Sequence, residues 1–237
     1  MSQSALVKVL PSHALFPFNV SNIDNLFPGF LDGDFAVLYG AFTVLPLELL
    51  LTVRAQLPFQ LGGLESNVVF VDGGNSFRLY DVSRIAQAHQ VDSKHVLKRI
   101  YISRAFTAYQ MTSIILEKLK ETVQRFESKF VIISDIAGLY LDEDMPSNEA
   151  KEIFSHLATY LASFAEENQL IVMATCLPHY SSKQGVFFHS ALFGRAKVVI
   201  SVRPSKHGQV FVLEKHPLFS LGHAEFPTEN FTLDRFM

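Results

Sequence analysis

The feature that most constrains the fold of this chain is the alternation of short apolar runs with longer segments of helical periodicity. The short runs are rich in Val, Ile and Phe and have the length of strands; they are FAVLYG, NVVFVD, RIYIS, FVIISD, LIVMATC, KVVISVR and QVFVLEK. Helices are predicted between them, at about Pro46–Gln56, Val82–His89, Ala108–Glu127 and Asn148–Asn168. Strands that alternate with helices predict an α/β fold, with a mostly parallel central sheet flanked by helices on both faces.

Three local signals refine this prediction. Ser147 precedes the longest helical pattern and is expected to cap it. Pro46 is placed in the first turn of its helix, where the missing N–H would have no intrahelical partner. The last two runs, between Lys197 and Lys215, are joined by PSKHG, which predicts a C-terminal antiparallel hairpin.

Composition bounds the class of protein. The 237 residues suit one large domain, and 49% hydrophobic with 18% charged residues is typical of a globular protein. The net charge of -3 provides no global attraction to nucleic acid or anionic membrane, so any DNA contact must come from a local patch. A single cysteine, Cys176, excludes an internal disulfide and favours a reducing compartment, so we expect a cytoplasmic or nuclear protein. The apolar run at 35–51 is interrupted by Gly40 and Pro46, and no membrane span is expected.

Four segments, in order, resemble the RecA-like recombinase family, particularly the archaeal RadA proteins. They are NVSNIDNLFPGFLDGDFAVLYGAF, VVFVDGGNSFRLYDVSRIAQ, VLKRIYISRAFTAYQM and FVIISDIAGLY. The similarity runs from about Asn19 to Pro217. It implies a RecA-like, P-loop NTPase-type core at residues 19–237 and an N-terminal extension at residues 1–18, without the small N-terminal helical domain of full recombinases.

Where the resemblance implies a phosphate-binding loop, the residues depart from the pattern G-x-x-x-x-G-K-[ST]. Counted from Gly40, the positions of the second glycine, the lysine and the hydroxyl residue are Leu45, Pro46 and Leu47. The cation and the Mg²⁺ ligand of a working loop are therefore missing, and Leu45 places a side chain where the backbone should approach the phosphates. Two interpretations follow: an ordinary strand-to-helix turn, or a degenerate Walker A motif. The matching segments around the loop favour the second.

The remaining acidic positions point the same way. Where the family has a glutamate that orients the attacking water, this chain has Gly74, with Asp72 two residues before it. Asp135 matches the Walker B aspartate, but without the phosphate and the hydroxyl it is interpreted as a structural acid at a strand end. We therefore expect no catalytic residues, no cofactor and no metal site.

Other candidate chemistry is weaker. Cys176 with His179 could suggest a thiol nucleophile, but a cysteine at the end of an apolar strand is expected to be a buried packing residue. The acidic segment with Asp142, Glu143 and Asp144 lacks the pattern of a calcium loop and is interpreted as solvated. Three adjacent carboxylates also argue against DNA contact there.

The resemblance places a second DNA-binding loop within HYSSKQGVFFHSALFGRAK. That stretch combines the cations Lys183, Arg195 and Lys197 with Phe187 and Phe188. Cations beside aromatic rings suit stacking on single-stranded DNA, and adjacent phenylalanines equally suit a core or a protein interface. The sequence leaves both readings open.

The sequence leads to two hypotheses. The first is a non-catalytic RadA-like paralogue that acts in recombination and repair by binding a RecA-type recombinase, by self-association or by binding single-stranded DNA. The alternative is an enzyme or sensor that binds a nucleotide or other small ligand in a rearranged pocket near DGGNSF, at residues 72–77.

Overall fold

A computed structural model describes residues 15–40, 42–142, 145–178, 182–206 and 208–226, and it contains one central sheet. Eight strands lie in the order β3-β2-β4-β5-β1-β6-β7-β8. Their bounds are β1 Phe35–Gly40, β2 Asn67–Asp72, β3 Ile100–Arg104, β4 Ser128–Ser134, β5 Ile171–Cys176, β6 Val198–Ser205, β7 Gly208–Lys215 and β8 Gly222–Phe226. The predicted α/β fold is confirmed, and all seven predicted strands are present within two residues of their expected bounds.

The first six strands are parallel, and the last two complete an antiparallel edge. β1 lies between β5 and β6, with Phe35 opposite Val172 and Ala36 opposite Val198. β7 pairs antiparallel with β6, which confirms the predicted hairpin, and β8 adds a further antiparallel strand that the sequence did not reveal. At this edge the side-chain amide of Asn22 donates to the carbonyl of Glu225.

Helices cover both faces of the sheet. Their bounds are α1 Ser21–Leu26, α2 Val44–Arg54, α3 Leu79–Ala88, α4 Ser93–Lys98, α5 Ala108–Ser113, α6 Leu119–Arg125, α7 Ser147–Asn168 and α8 Lys183–Arg195. A π-helical turn, Ile114–Lys118, joins α5 to α6, so the predicted helix 108–127 is one helical segment with a wider middle turn. In the part of the chain that the structure describes, no helix is both long and apolar enough to cross a membrane.

Two helix starts differ from the prediction. α2 begins at Val44, so Pro46 is its third residue, still within the turn whose N–H groups have no intrahelical acceptor. α7 begins at Ser147 itself, with Pro146 as its cap residue, and no side chain caps the helix. The prediction that Ser147 caps α7 was wrong because the extended backbone lies one residue earlier, at Pro146.

Alternate residues of each buried strand face opposite sides of the sheet, which gives two apolar cores. Leu38, Phe70 and Ile132 belong to the core under α2, α3 and the N-terminal segment. Val37 and Val71, one position away, belong to the core under α5, α7 and α8. The runs read as continuously apolar because both faces of these strands are buried.

The segment at residues 15–20 belongs to the first core. Phe16 and Phe18 are both fully buried, and Phe16 forms a backbone bridge with Phe30. The side chain of Arg54, near the end of α2, donates from Nε to the carbonyl of Pro17 at 3.2 Å. Packing of the core thus begins before Asn19; the residues before Leu15 lie outside the described ranges.

Candidate functional site

The candidate site lies at the carboxyl edge of the parallel strands, where β1 turns into α2. In open α/β sheets, ligands bind at this edge, beside the strand where the order of connections reverses. Gly40, the last residue of β1, has φ +120°, and a Cβ there would overlap the carbonyl oxygen of Val202 on β6. A glycine is needed here because the turn uses a left-handed backbone and approaches β6 closely.

The three residues at the predicted loop positions belong to the first turn of α2. Leu45 and Pro46 are half-buried, and both lie beside a cavity of about 160 Å³ that also reaches Ser76. Leu47 is fully buried and is part of the core below the sheet edge. None of these three side chains offers a cation or a hydroxyl group to a ligand.

The next residue, Glu48, forms the centre of a buried hydroxyl cluster. Its Oε1 accepts hydrogen bonds from Ser76 Oγ and Ser134 Oγ, both at 2.8 Å, and its Oε2 accepts one from Thr175 Oγ1 at 2.9 Å. The hydroxyls of Ser76 and Ser134 are themselves 2.6 Å apart. One carboxyl group thus connects α2 to the ends of β2, β4 and β5.

The electrostatics of Glu48 follow from this setting. Burial raises the pKa of its carboxyl to about 7, although the three hydroxyl donors lower it and Asp72 raises it further. At neutral pH, both the neutral and the charged form of this carboxyl are therefore populated. Sequence reasoning missed Glu48; the signal was a single carboxylate within the apolar run LPLELLL.

Asp72, at the end of β2, supports the loop that follows it. It is fully buried and forms an ion pair with Arg104 on β3, with Oδ2 to Nη2 at 2.9 Å. Its Oδ1 accepts from the backbone N–H of Ser76 at 2.8 Å. These contacts hold the 72–77 segment, DGGNSF, against the sheet edge.

Asp135 joins the ends of β4 and β5. It has a left-handed backbone, with φ 45°, and its Oδ1 accepts from the N–H of Leu177 at 3.1 Å. A Cβ at Gly74 would lie 3.0 Å from the Cβ of Asp135, closer than side-chain carbons normally approach. A glutamate at position 74 would therefore require the two segments to move apart.

A larger cavity, of about 560 Å³, opens on the other side of Gly40. Tyr39, Pro178, Arg203 and Pro204 line it together with Gly40. The polar groups beside it are bonded to Glu214 on β7: Tyr39 Oη donates to Oε2 at 2.7 Å, and Arg203 Nη2 donates to Oε1 at 2.5 Å. The walls are mostly apolar, which suits a flat, weakly charged group better than a polyphosphate.

The predicted second DNA loop is largely a helix. Residues Lys183–Arg195 form α8, and the hydroxyl of Ser182 caps it by accepting from the N–H of Gly185 at 2.9 Å. Phe188 is fully buried against Phe154, with ring centroids 4.4 Å apart, whereas Phe187 is 37% exposed. Of the two interpretations that the sequence left open for Phe188, its position fits a core residue, because the amphipathic helix turns that side chain into the core.

Two of the three cations of this segment have partners within the chain. Arg195 donates to the hydroxyl of Thr159 and to the carbonyl of Ala191. Lys197 pairs with Glu166 at 3.4 Å. Lys183 begins α8. Arg195 and Lys197 thus contact α7, and the cation beside Phe187 is Lys151 of α7, whose Nζ lies 5.8 Å from the ring centroid.

Of the weaker candidate residues, the structure describes two and leaves three outside the described ranges. Cys176 is fully buried, and burial raises the pKa of its thiol well above the usual value, so the prediction of a packing residue is confirmed. His179, Glu143 and Asp144 lie outside the described residues, so the thiol–histidine pair and the acidic loop are not described. Asp142 ends a short 3-10 turn and is exposed.

Comparison with known proteins finds a matching family and a related protein of known description. A family model described as Rad51 matches residues 20–189. The DNA repair and recombination protein RadA of Cenarchaeum symbiosum (strain A) is 30% identical over 126 residues, which cover 52% of this chain and 31% of that RadA. The match thus spans about a third of the length of the curated relative.

Proposed function

We propose a function that starts from the family of this chain, which belongs to the Rad51 family of RecA-like recombination and repair proteins. Within that family we propose that it is a non-catalytic accessory member. In this role it acts in the cytoplasm by binding a RecA-type recombinase, and it neither binds nor hydrolyses ATP. One observation supports this most directly. At the positions of the phosphate-binding lysine and the Mg²⁺-binding hydroxyl stand Pro46 and Leu47, and Leu47 is fully buried in the core.

The rest of the edge supports the same role. The Walker B-type Asp135 and the Asp72 carboxylate are used in internal contacts, and Glu48 occupies the interior with a third carboxyl group. No lysine is among the described residues that line the two cavities beside this turn, and the nearby carboxyl groups disfavour a nucleoside triphosphate. Gly74 adds no carboxylate to orient water.

A protein-docking role is supported by apolar side chains around the turn. Phe42 is 69% exposed, and Leu79 and Tyr80 at the start of α3 are 50% and 82% exposed. Neighbouring exposed apolar residues are typical of protein–protein contact surfaces. We define Phe42, Leu79 and Tyr80 as the turn patch.

The first test is ATP turnover by the purified full chain. We expect hydrolysis of Mg-ATP no faster than in buffer, and no thermal stabilisation by Mg-ATP, with a working RadA assayed in parallel as the positive control. A bound nucleotide at a hundredfold excess over its Kd would stabilise the fold by about 2.7 kcal/mol. ATP hydrolysis by the unchanged chain that is lost in the Asp135→Asn variant would contradict the non-catalytic role.

The second test addresses the partner. We expect a RecA-type recombinase to co-purify with the chain from native extract, and the double variant Phe42→Ser, Tyr80→Ser to lose most of it. The matched control is Leu218→Ser, Leu221→Ser, which changes two exposed apolar residues near β8. Loss of the recombinase from the control to the same extent would argue against the turn patch as the contact.

A second candidate is a small-ligand sensor, which the 560 Å³ cavity beside Gly40 supports. Thermal shift against common nucleotides and nucleosides tests it, and no shift with any of them would count against it. Single-stranded DNA binding is a third candidate. It predicts an affinity that falls steeply between two salt concentrations in fluorescence anisotropy titrations, because phosphate contacts release counterions.

A further inference from the structure

A second cavity lies away from the strand-to-helix turn, at the far end of α2. It measures about 470 Å³, and its walls come from the N-terminal segment, the end of α2 and the end of α3. Arg54, Asn19, His89 and Gln90 contribute its polar groups. No acidic side chain lines this cavity among the described residues.

The guanidinium of Arg54 is the main charge in this cavity. The residue is 1% exposed, and three backbone carbonyls hold the group: Nε donates to Pro17 at 3.2 Å, and Nη2 donates to Leu61 at 3.3 Å and to Gly62 at 3.4 Å. Within the described ranges, no hydrogen bond engages Nη1. Arg54 is thus a buried cation with a fixed orientation and with donors to spare.

The other polar side chains that line the cavity, among the described residues, are uncharged amides and a histidine. Asn19 and Gln90 are exposed at the rim and bring side-chain amides, and both have left-handed backbones, with φ 61° and 57°. Burial lowers the pKa of His89, and the charge of Arg54 lowers it further. Asp24, on α1, interacts with the charge of Arg54 and accepts hydrogen bonds from the backbone of 18–20, but it does not line the cavity.

We propose that this cavity is a binding site for a small oxyanion, a phosphate group or a carboxylate, that Arg54 holds through Nη1 and that the amides of Asn19 and Gln90 complete. A guanidinium suits such a ligand because its charge strengthens the hydrogen bonds that the two remaining N–H groups, on Nη1, donate to anionic oxygens. The three carbonyls orient the group before the ligand arrives, which reduces the entropy lost on binding. The cavity is large enough for the anion together with the small molecule that carries it.

The experiment is a titration of the full chain with inorganic phosphate and, separately, with acetate, by calorimetry and thermal shift. Sodium chloride at the same ionic strength serves as the baseline. We expect saturable binding of at least one of the two anions and none of chloride. A phosphate response identifies a phosphate ligand, and an acetate response identifies a carboxylate ligand.

Variants locate the site. Arg54→Gln removes the charge and is expected to raise the Kd at least about tenfold, the loss of one charge-assisted hydrogen bond. Arg54→Gln also leaves three carbonyls without a donor. If this variant does not fold, two milder variants test the site instead. Asn19→Gly and Gln90→Gly remove the amides at positions where glycine is conformationally at ease, and each should weaken binding about threefold.

The matched control is Gln169→Gly, which makes the same change at the left-handed residue that ends α7, with φ 52°. We expect anion affinity to be unchanged in this variant. The proposal is overturned if neither anion binds beyond the chloride baseline, or if the double variant Asn19→Gly, Gln90→Gly binds as tightly as the unchanged chain.

Discussion

The two ends of helix α2 bury opposite charges in different ways. Near its start, Glu48 is held by three hydroxyl groups and has a pKa of about 7. At its end, Arg54 is held by three carbonyls, and burial lowers its pKa only to about 10. The carboxyl can become neutral in the physiological range, whereas the guanidinium stays charged. One helix therefore has an end that responds to pH and an end that does not.

The largest effect is expected at the charged end. Arg54→Met leaves the carbonyls of Pro17, Leu61 and Gly62 without their donor and removes the charge that faces Asp24. The free energy of unfolding should fall by about 3–5 kcal/mol, as when one partner of a buried polar network is removed. Urea denaturation at pH 7 measures this.

The control for Arg54 is Arg84→Met on α3. The side chain of Arg84 is 42% exposed, and its contact with Asp81 is 4.0 Å long. The expected change is within about 0.5 kcal/mol. If the two variants lose the same free energy of unfolding, the buried contacts of Arg54 do not stabilise the fold more than an exposed arginine does. That result would contradict the difference drawn between the two ends of α2.

The next effect is the pH dependence of the Glu48 end. The pKa of Glu48 is about 7 in the folded state and 4.5 in the unfolded state. Between pH 4.5 and 7, the folded state therefore keeps a proton on Glu48 that the unfolded state has released. The stability that this group contributes is fully present below pH 4.5 and is lost as the pH rises through 7. The gap corresponds to about 3 kcal/mol.

Glu48→Gln should remove this part of the pH dependence. Between pH 4.5 and 8, the unfolding free energy of the unchanged chain should fall by about 3 kcal/mol more than that of the variant. Asp24 and Asp34, whose pKa values burial raises to about 6, contribute equally to both chains and cancel. The exposed Glu152→Gln variant is the control, and parallel pH profiles for Glu48→Gln and the unchanged chain would contradict the expectation.

The smallest effect concerns one hydroxyl of the cluster. Thr175 Oγ1 donates to Glu48 Oε2 and accepts from the N–H of Asp135 at 3.0 Å. Thr175→Val keeps the shape and removes both bonds, so stability should fall by about 1–2 kcal/mol. The pKa of Glu48 should rise further, because one donor to the charged form is gone. Thr122→Val, on the exposed side of α6, should change little in the same denaturation experiment.

Much of the fold could be predicted because its signals are local. Runs such as NVVFVD and FVIISD are apolar throughout and rich in β-branched residues, so each one specifies a buried strand by itself. The six-residue α1 is too short to show a helical period. α8 was missed because Gly185 and Gly194 weaken its helical pattern, although Ser182 offered a capping signal.

The site was harder to predict because its contacts are distant in sequence. The partners of Glu48 lie 28, 86 and 127 residues further along the chain, and only the sheet order brings them together. The same holds for Arg54, whose partner Pro17 is 37 residues away. Sequence patterns show which residue types are unusual for their surroundings, and the tertiary fold decides what those residues contact.

The burial of Phe16 and Phe18 has a practical consequence for anyone who shortens this chain. A version that starts at Asn19, the first residue of the family-like region, would lose two aromatic rings from the core and one of the three carbonyls that bind Arg54. Such a fragment would expose apolar surface and aggregate on expression, whereas one that starts before Leu15 keeps every core residue that the structure describes. The shortest useful fragment is thus set by packing, and it begins earlier than the family resemblance does.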